Sequence, residues 1–108
     1  MANTFKNSFV KNVGTSASTV YTCPAATQTT LIGMTIANKS TGTVTANIHL
    51  RLSGVDYVLI ANVPILSGST LVPIGGEQKL VLEAADQLRA NSSTNNTIDI
   101  IASLLEIS

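Results

Sequence analysis

At 108 residues the chain is long enough for one hydrophobic core and too short for two domains of ordinary size. Charged residues make up 11% of it, six Lys/Arg balance six Asp/Glu, and the charge that typical soluble domains carry, roughly 25% of residues, is replaced by Thr, Ser and Asn. Such a chain has no basic field to hold a phosphate backbone, which argues against nucleic-acid binding. A neutral, weakly charged surface is also poorly protected against self-association, which points to a surface covered by other subunits.

Residues 1–13 contain Lys6 and Lys11 but no apolar run of signal-peptide length, and no later window approaches the roughly 18 apolar residues of a membrane span. The expectation is a chain that stays in the compartment where it is made, off the membrane. Thr4 to Val13 and Ser18 to Cys23 read as weak strands around Gly14-Thr15-Ser16, with residues 1–13 an N-terminal arm or an edge strand. Pro24-Ala25-Ala26 then bends the chain toward Leu31 to Asn38, where Ile32, Met34 and Ile36 fall on one face.

Val44 to Ser53 has the clearest pattern: Val44, Ala46, Ile48, Leu50 and Leu52 alternate with Thr45, Asn47, His49, Arg51 and Ser53. A period of two over ten residues is a half-buried strand. Lys39-Ser40-Thr41-Gly42 supplies a turn, so this strand and the preceding one are expected to form a hairpin. After Ser53-Gly54, Asp56 to Val63 is apolar on nearly both faces, the pattern of a central strand. Pro64 and Ser67-Gly68-Ser69 interrupt it, Thr70 to Ile74 resumes, and Gly75-Gly76 makes a further turn before Lys79 to Glu83.

From Leu80 to Asn91 good helix formers compete, but Leu80 and Leu82 alternate with Val81 and Glu83 and the window is marginal for a stable helix, so two strands around a turn at Ala84 to Asp86 are expected. Ile98 to Ile107 closes the chain with Ile98, Ile100, Ala102 and Leu104 on one face, and must be tied into a sheet. The whole reads as an all-β, single-domain antiparallel β-sandwich over residues 1–108, jelly-roll-like, with about eight strands.

Reactive groups are few. His49 is the only histidine and lies beside Arg51 on a polar strand face, a poor position for a metal ligand or a catalytic relay. Cys23 is alone, so no intrachain disulfide forms, and before Pro24 it reads as a small buried hydrophobe. The six carboxylates Asp56, Glu77, Glu83, Asp86, Asp99 and Glu106 are scattered, with no pair suggesting acid/base work. Gly75-Gly76 fits no phosphate-binding fingerprint, and the three Asn-x-Ser/Thr triplets at Asn38, Asn91 and Asn95 read as turn residues. Tyr21 and Tyr57 sit inside apolar runs and read as packing residues rather than a sugar-stacking platform. No catalytic, cofactor-binding or metal residues are assigned, and the protein is expected not to be an enzyme.

What remains is surface. Thr45, Asn47, His49 and Arg51 make a flat, weakly charged strand face, and Phe5 and Phe9 stand on a segment able to reach a neighbour. These six residues are the candidate assembly face.

Val20-Tyr21-Thr22-Cys23-Pro24, Leu31 to Asn38, Val63-Pro64-Ile65 with Leu71 to Gly76, and Lys79 to Glu83 with Ala85-Asp86-Gln87-Leu88 resemble small virion structural proteins of tailed bacteriophages. The resemblance spans Val20 to Glu106, and Ala85 stands where such a turn would hold glycine. It implies a β-sandwich subunit that decorates or cements a capsid, or an accessory or fibre element of the tail, neck or baseplate. It also implies a virion location after synthesis in the host cytoplasm. The implied partners are copies of the chain, a trimer first, and other virion proteins such as the major capsid protein, with no cofactor, nucleic acid or membrane. A host-glycan module would instead need a concave site lined by Tyr57, His49 or exposed Asn side chains, and an enzyme would need carboxylates gathered around His49.

Overall fold

The alternation in the sequence becomes nine strands among the described residues of a computed structural model, which describes residues 3–74 and 80–108. They are β1 (Asn3–Val13), β2 (Ser18–Thr22), β3 (Gln28–Asn38), β4 (Val44–Leu52), β5 (Val55–Ile65), β6 (Thr70–Ile74), β7 (Leu80–Leu82), β8 (Gln87–Ser92) and β9 (Ile98–Ile107). One sheet runs β1-β9-β3-β6, with β7 pairing to another part of β3; the other runs β2-β8-β4-β5. Every pairing is antiparallel.

The pairings are nested. The first strand meets the last, the second meets the eighth, the third meets the sixth and seventh, and the fourth meets the fifth. A long hairpin folded over itself in this way gives the two facing sheets of a jelly roll. The antiparallel sandwich read from the sequence is the one the chain forms.

Alternation puts one face of each sheet inside. Ile98, Ile100, Ala102 and Leu104 of β9 are at most 1% exposed, and across from them lie Ala46 and Ile48 of β4 with Leu88 and Ala90 of β8. At about 25 cal/mol per Å² of apolar surface removed from water, this two-sided burial is the main stabilising term.

Three expectations fail at strand pairing. Leu31 to Asn38 and Val44 to Ser53 do not form a hairpin: β3 and β4 belong to different sheets, and residues 39–43 cross between them. The hairpin is β4–β5, closed by Ser53 (φ 53°) and Gly54 (φ 79°) with Leu52 opposite Val55. Positive φ at both positions matches the right-handed twist of the strands. Second, the apolar segment from Asp56 is the edge of its sheet rather than its centre. Pro64 therefore does not end it; β5 runs on to Ile65, because an edge strand has one side on which a missing N–H breaks no ladder bond. Third, Ile32 does not share a face with Met34 and Ile36. A register shift between Leu31 and Gly33 puts Leu31 inside and turns Ile32 toward the surface.

The two strands expected around Ala84 to Asp86 are present as β7 and β8, one in each sheet. The expected turn at Gly75-Gly76 lies outside the described residues. Ala85 adopts φ 70° where glycine would be at ease, and its N–H donates to the Cys23 carbonyl at 2.9 Å. Asp86 clasps two turns together, Oδ1 accepting from the Ser53 N–H at 3.1 Å and Oδ2 from the Glu83 N–H at 3.0 Å. Ala85→Gly removes the Cβ clash of the left-handed conformation and keeps the N–H. It should therefore raise the unfolding free energy by about 0.5–1 kcal/mol in denaturant titrations. A loss of stability would contradict this account of the turn.

Candidate assembly surfaces

On β4 the alternation that buries Val44, Ala46 and Ile48 leaves Thr45, Asn47, His49 and Arg51 facing outward, each partly exposed. β4 lies between β8 and β5, so these residues meet their cross-strand partners. His49 is opposite Arg89 and Val58, Asn47 opposite Asn91, and Arg51 opposite Gln87 and Asp56. Arg51 Nη1 lies 3.9 Å from Asp56 Oδ1, both well exposed, a contact of small energetic weight. Asn47 Oδ1 accepts the N–H of Asn62 at 2.9 Å, and Asn62 sits at φ 51° where β5 bulges. Asn47 is thus committed to its own sheet.

Phe5 and Phe9 stand on the other sheet. β1 is its edge strand, paired to β9 on one side, and the two rings are 75% and 73% exposed on the outward face. Opposite them on β9 are Leu105 and Ile101, with Asn7 and Ser103 between, Ser103 Oγ donating to Asn7 Oδ1 at 3.0 Å. Val81 of β7 reaches the same face through Thr30, which pairs with both Val81 and Leu105. The six candidate residues therefore do not form one surface. Four lie on a polar face of one sheet, two on an apolar face of the other.

The apolar face is wider than Phe5 and Phe9 alone. Ile101 (52% exposed) and Val81 extend it, and an open groove of about 530 Å³ runs beside Phe9, Lys11, Asp99 and Ile101. The signal for it was in the sequence. β9 carries large apolar residues at Ile101 and Leu105 on the face opposite its core positions, which a half-buried strand has no internal need for.

Two polar clusters hold β1 in place. Glu106 Oε2 accepts from the Tyr21 hydroxyl at 2.5 Å, the same hydroxyl lies 2.8 Å from Thr29 Oγ1, and Lys6 Nζ of β1 is 3.4 Å from Glu106 Oε1. Burial, followed by the bond to Glu106, pushes the Tyr21 phenol well above its ordinary value. Toward the other end of β1, Lys39 Nζ meets Asp99 Oδ1 at 2.9 Å and also bonds Asn12 Oδ1, while the Asn12 N–H donates to Asp99 Oδ1 at 3.0 Å. The lysine bond holds the Asp99 carboxyl below the usual carboxylate range.

Cys23 is buried as expected, its thiol within 3.3 Å of the Thr27 carbonyl and of Thr29 Oγ1. Tyr21 is buried too, but Tyr57, read as a packing residue, is 54% exposed because it lies on the edge strand. Tyr57 pairs with Leu50 and Val58 with His49, so Tyr57 and His49 sit on opposite faces of their sheet and line no common site. Among the described residues no three His, Cys, Asp or Glu side chains gather where they could hold a metal ion.

No protein-family model matches the chain, and no curated protein matches it in sequence. Solved structures do. The pilus protein of Bacillus endospore appendages, described as disulfide-linked pili, is similar at TM-score 0.59 and 11% identity over 98% of this chain and 88% of its own. A capsid structure of Helicobacter pylori bacteriophage KHP30 contains a chain similar at TM-score 0.52 and 7% identity, over 100% and 94%. A chain of the T13 IBDV viral particle is similar at TM-score 0.61 and 12% identity, covering 96% of this chain, which spans only 30% of the viral one. At such identities the likeness is one of fold, and the fold serves shells and filaments alike.

Proposed function

We propose that this chain is a non-enzymatic structural subunit of a bacteriophage virion, one that decorates or cements the capsid through repeated contacts with copies of itself and with the major capsid protein. The observation that carries the reading is the uncovered apolar face of Phe5, Phe9, Ile101 and Val81 on a chain of zero net charge. Left in water, that surface invites association; covered, each Phe alone contributes some 150–250 Å² of contact. The residue resemblance to small tailed-phage virion proteins and the fold shared with a chain of a phage capsid structure both support it. The trimer rests on the resemblance alone.

A pilus or tail-fibre subunit is the second reading, favoured by the close match in length and fold to the endospore pilus protein. Against its disulfide-linked form stands the single cysteine, Cys23, which is 1% exposed. The glycan-binding reading loses support because Tyr57 and His49 face opposite ways.

Quantitative mass spectrometry of virions purified from cells that make the chain tests the proposal. The expected result is the chain in fixed ratio to the major capsid protein, with shells lacking it opening at lower temperature. Virions free of the chain would sink the reading.

A further inference from the structure

The four sheet edges are not alike. β5 carries Pro64, the positive-φ Asn62 and two register shifts against β4; β2 is five residues long with a register shift between Thr19 and Tyr21. β6 is five residues and contains Pro73, and β7 is three residues. Short strands, prolines, bulges and charged side chains, lysine above all, are the devices that keep an exposed edge from pairing with another chain. β1 has only its two lysines: it is eleven residues long, with no proline and an unbroken register from Asn3 to Val10. Its Lys6 lies 3.4 Å from Glu106 of the same chain, which offsets part of its charge.

We propose that β1 pairs antiparallel with β1 of a second copy of this chain about a two-fold axis at Asn7, so that Phe5 of each copy lies opposite Phe9 of the other. This pairing deepens the assembly reading above and rests on it. The register follows from the residues. From Asn3 to Val10 the odd positions of β1 face outward and the even positions inward, so the two sheets can join only if odd meets odd. Centring the axis on Lys6 sets the two Lys6 ammoniums opposite each other, which repels. Centring it on Ser8 sets Phe5 opposite Lys11 and Phe9 opposite Asn7. Centring it on Asn7 uses the symmetry of Phe5-Lys6-Asn7-Ser8-Phe9 itself: two Phe–Phe pairs flank an Asn–Asn pair, Lys6 meets Ser8, and Lys11 meets Asn3. Aromatic cross-strand pairs are among the more favourable, and an isologous contact of this kind closes on itself rather than growing.

The joined sheet would run unbroken through both copies, with the apolar outer faces of Phe5, Phe9, Ile101 and Leu105 on one side. That doubles the area offered to a shell or filament.

The test uses the full chain in solution. Light scattering should give twice the chain mass. In the Asn7→Cys variant the two thiols lie opposite each other, within roughly 4.5–5.5 Å at Cβ, so oxidation or a short bis-maleimide should yield a covalent dimer. Native Cys23 is buried and silent, and Thr19→Cys on the β2 edge is the control that should not cross-link. Phe5→Lys with Phe9→Lys should halve the mass while leaving the far-ultraviolet circular dichroism unchanged. Phe5→Lys with Phe9→Glu, which sets opposite charges across the axis, should restore the dimer. A native monomer at every concentration overturns the pairing, as does a charge-doubled variant that stays dimeric. An oligomer that Asn7→Cys does not cross-link also overturns it, and leaves the virion reading standing. A cross-linked dimer from a chain that virions lack would end the virion reading instead and leave the pairing in place.

Discussion

Asn38→Ala should lower the unfolding free energy by about 3 kcal/mol, the largest loss expected from a single polar side chain in this fold. Asn38 is 2% exposed at the end of β3, where the chain leaves one sheet for the other. Its Nδ2 donates to the Gly42 carbonyl at 2.9 Å and to the Ile65 carbonyl at 2.8 Å, and its Oδ1 accepts from the Ser40 N–H and hydroxyl. Its main chain bonds Ser69 and Gly68 as well. One side chain thus ties the β3–β4 crossing to the β5–β6 crossing. Alanine leaves the buried Ile65 carbonyl without this donor, at a penalty of about 1–3 kcal/mol for that group alone. Urea titrations should show the midpoint falling with the slope unchanged, and the thermal midpoint should drop by roughly 10–20 °C. A change under 1 kcal/mol would mean that water satisfies these carbonyls and that the crossings hold without Asn38.

The same residue explains what a reading of the sequence misses. Strand positions come from alternation, which depends on each residue and its near neighbours, and each of the nine strands among the described residues overlaps a segment expected from it. Partners depend on where the chain goes between strands. Lys39-Ser40-Thr41-Gly42 has hairpin composition, yet with Asn38 buried and bonded to Ile65 the segment turns across the sandwich instead. Nothing local distinguishes the two outcomes. The misplacement of Asp56 to Val63 has another cause. An apolar run on both faces marks either a central strand or an edge strand with an uncovered outer side; β5 is at the edge, and exposed Val58, opposite outward-facing His49, lies on that uncovered side.

The candidate surfaces divide in the same way. Each of Thr45, Asn47, His49, Arg51, Phe5 and Phe9 could be marked from sequence as outward-facing, since parity alone decides that. Their distribution over two sheets could not, because it is set by the nesting of β1 with β9 and of β4 with β8. Val81 joins the apolar face only through the pairing of β7 to β3, a contact between residues some fifty positions apart.

Raising the pH above 10 should weaken the fold through Tyr21, relative to Tyr21→Phe. In the unfolded chain the phenol loses its proton near its ordinary value of 10.0. In the folded chain burial disfavours the phenolate and the Glu106 carboxylate accepts the phenol's hydrogen bond, so the proton is held to higher pH. Above pH 10 the unfolded state therefore binds fewer protons than the folded one. The stabilisation is complete below pH 10 and is lost as pH rises beyond it, at up to about 1.4 kcal/mol per pH unit. Phenylalanine removes the titration. At pH 8 it should be less stable than the native chain by about 1–2 kcal/mol, because Glu106 and Thr29 lose their shared partner; as the pH rises from 10 toward 12 that gap should narrow. Lysines titrate in both proteins and cancel from the difference. Denaturant titrations of the pair from pH 8 to 12 measure that narrowing, and parallel curves would mean that Tyr21 is not the group that links β2 to β9. Since Glu106 also holds Lys6 of β1, alkali should loosen the edge strand on which the proposed pairing of copies depends.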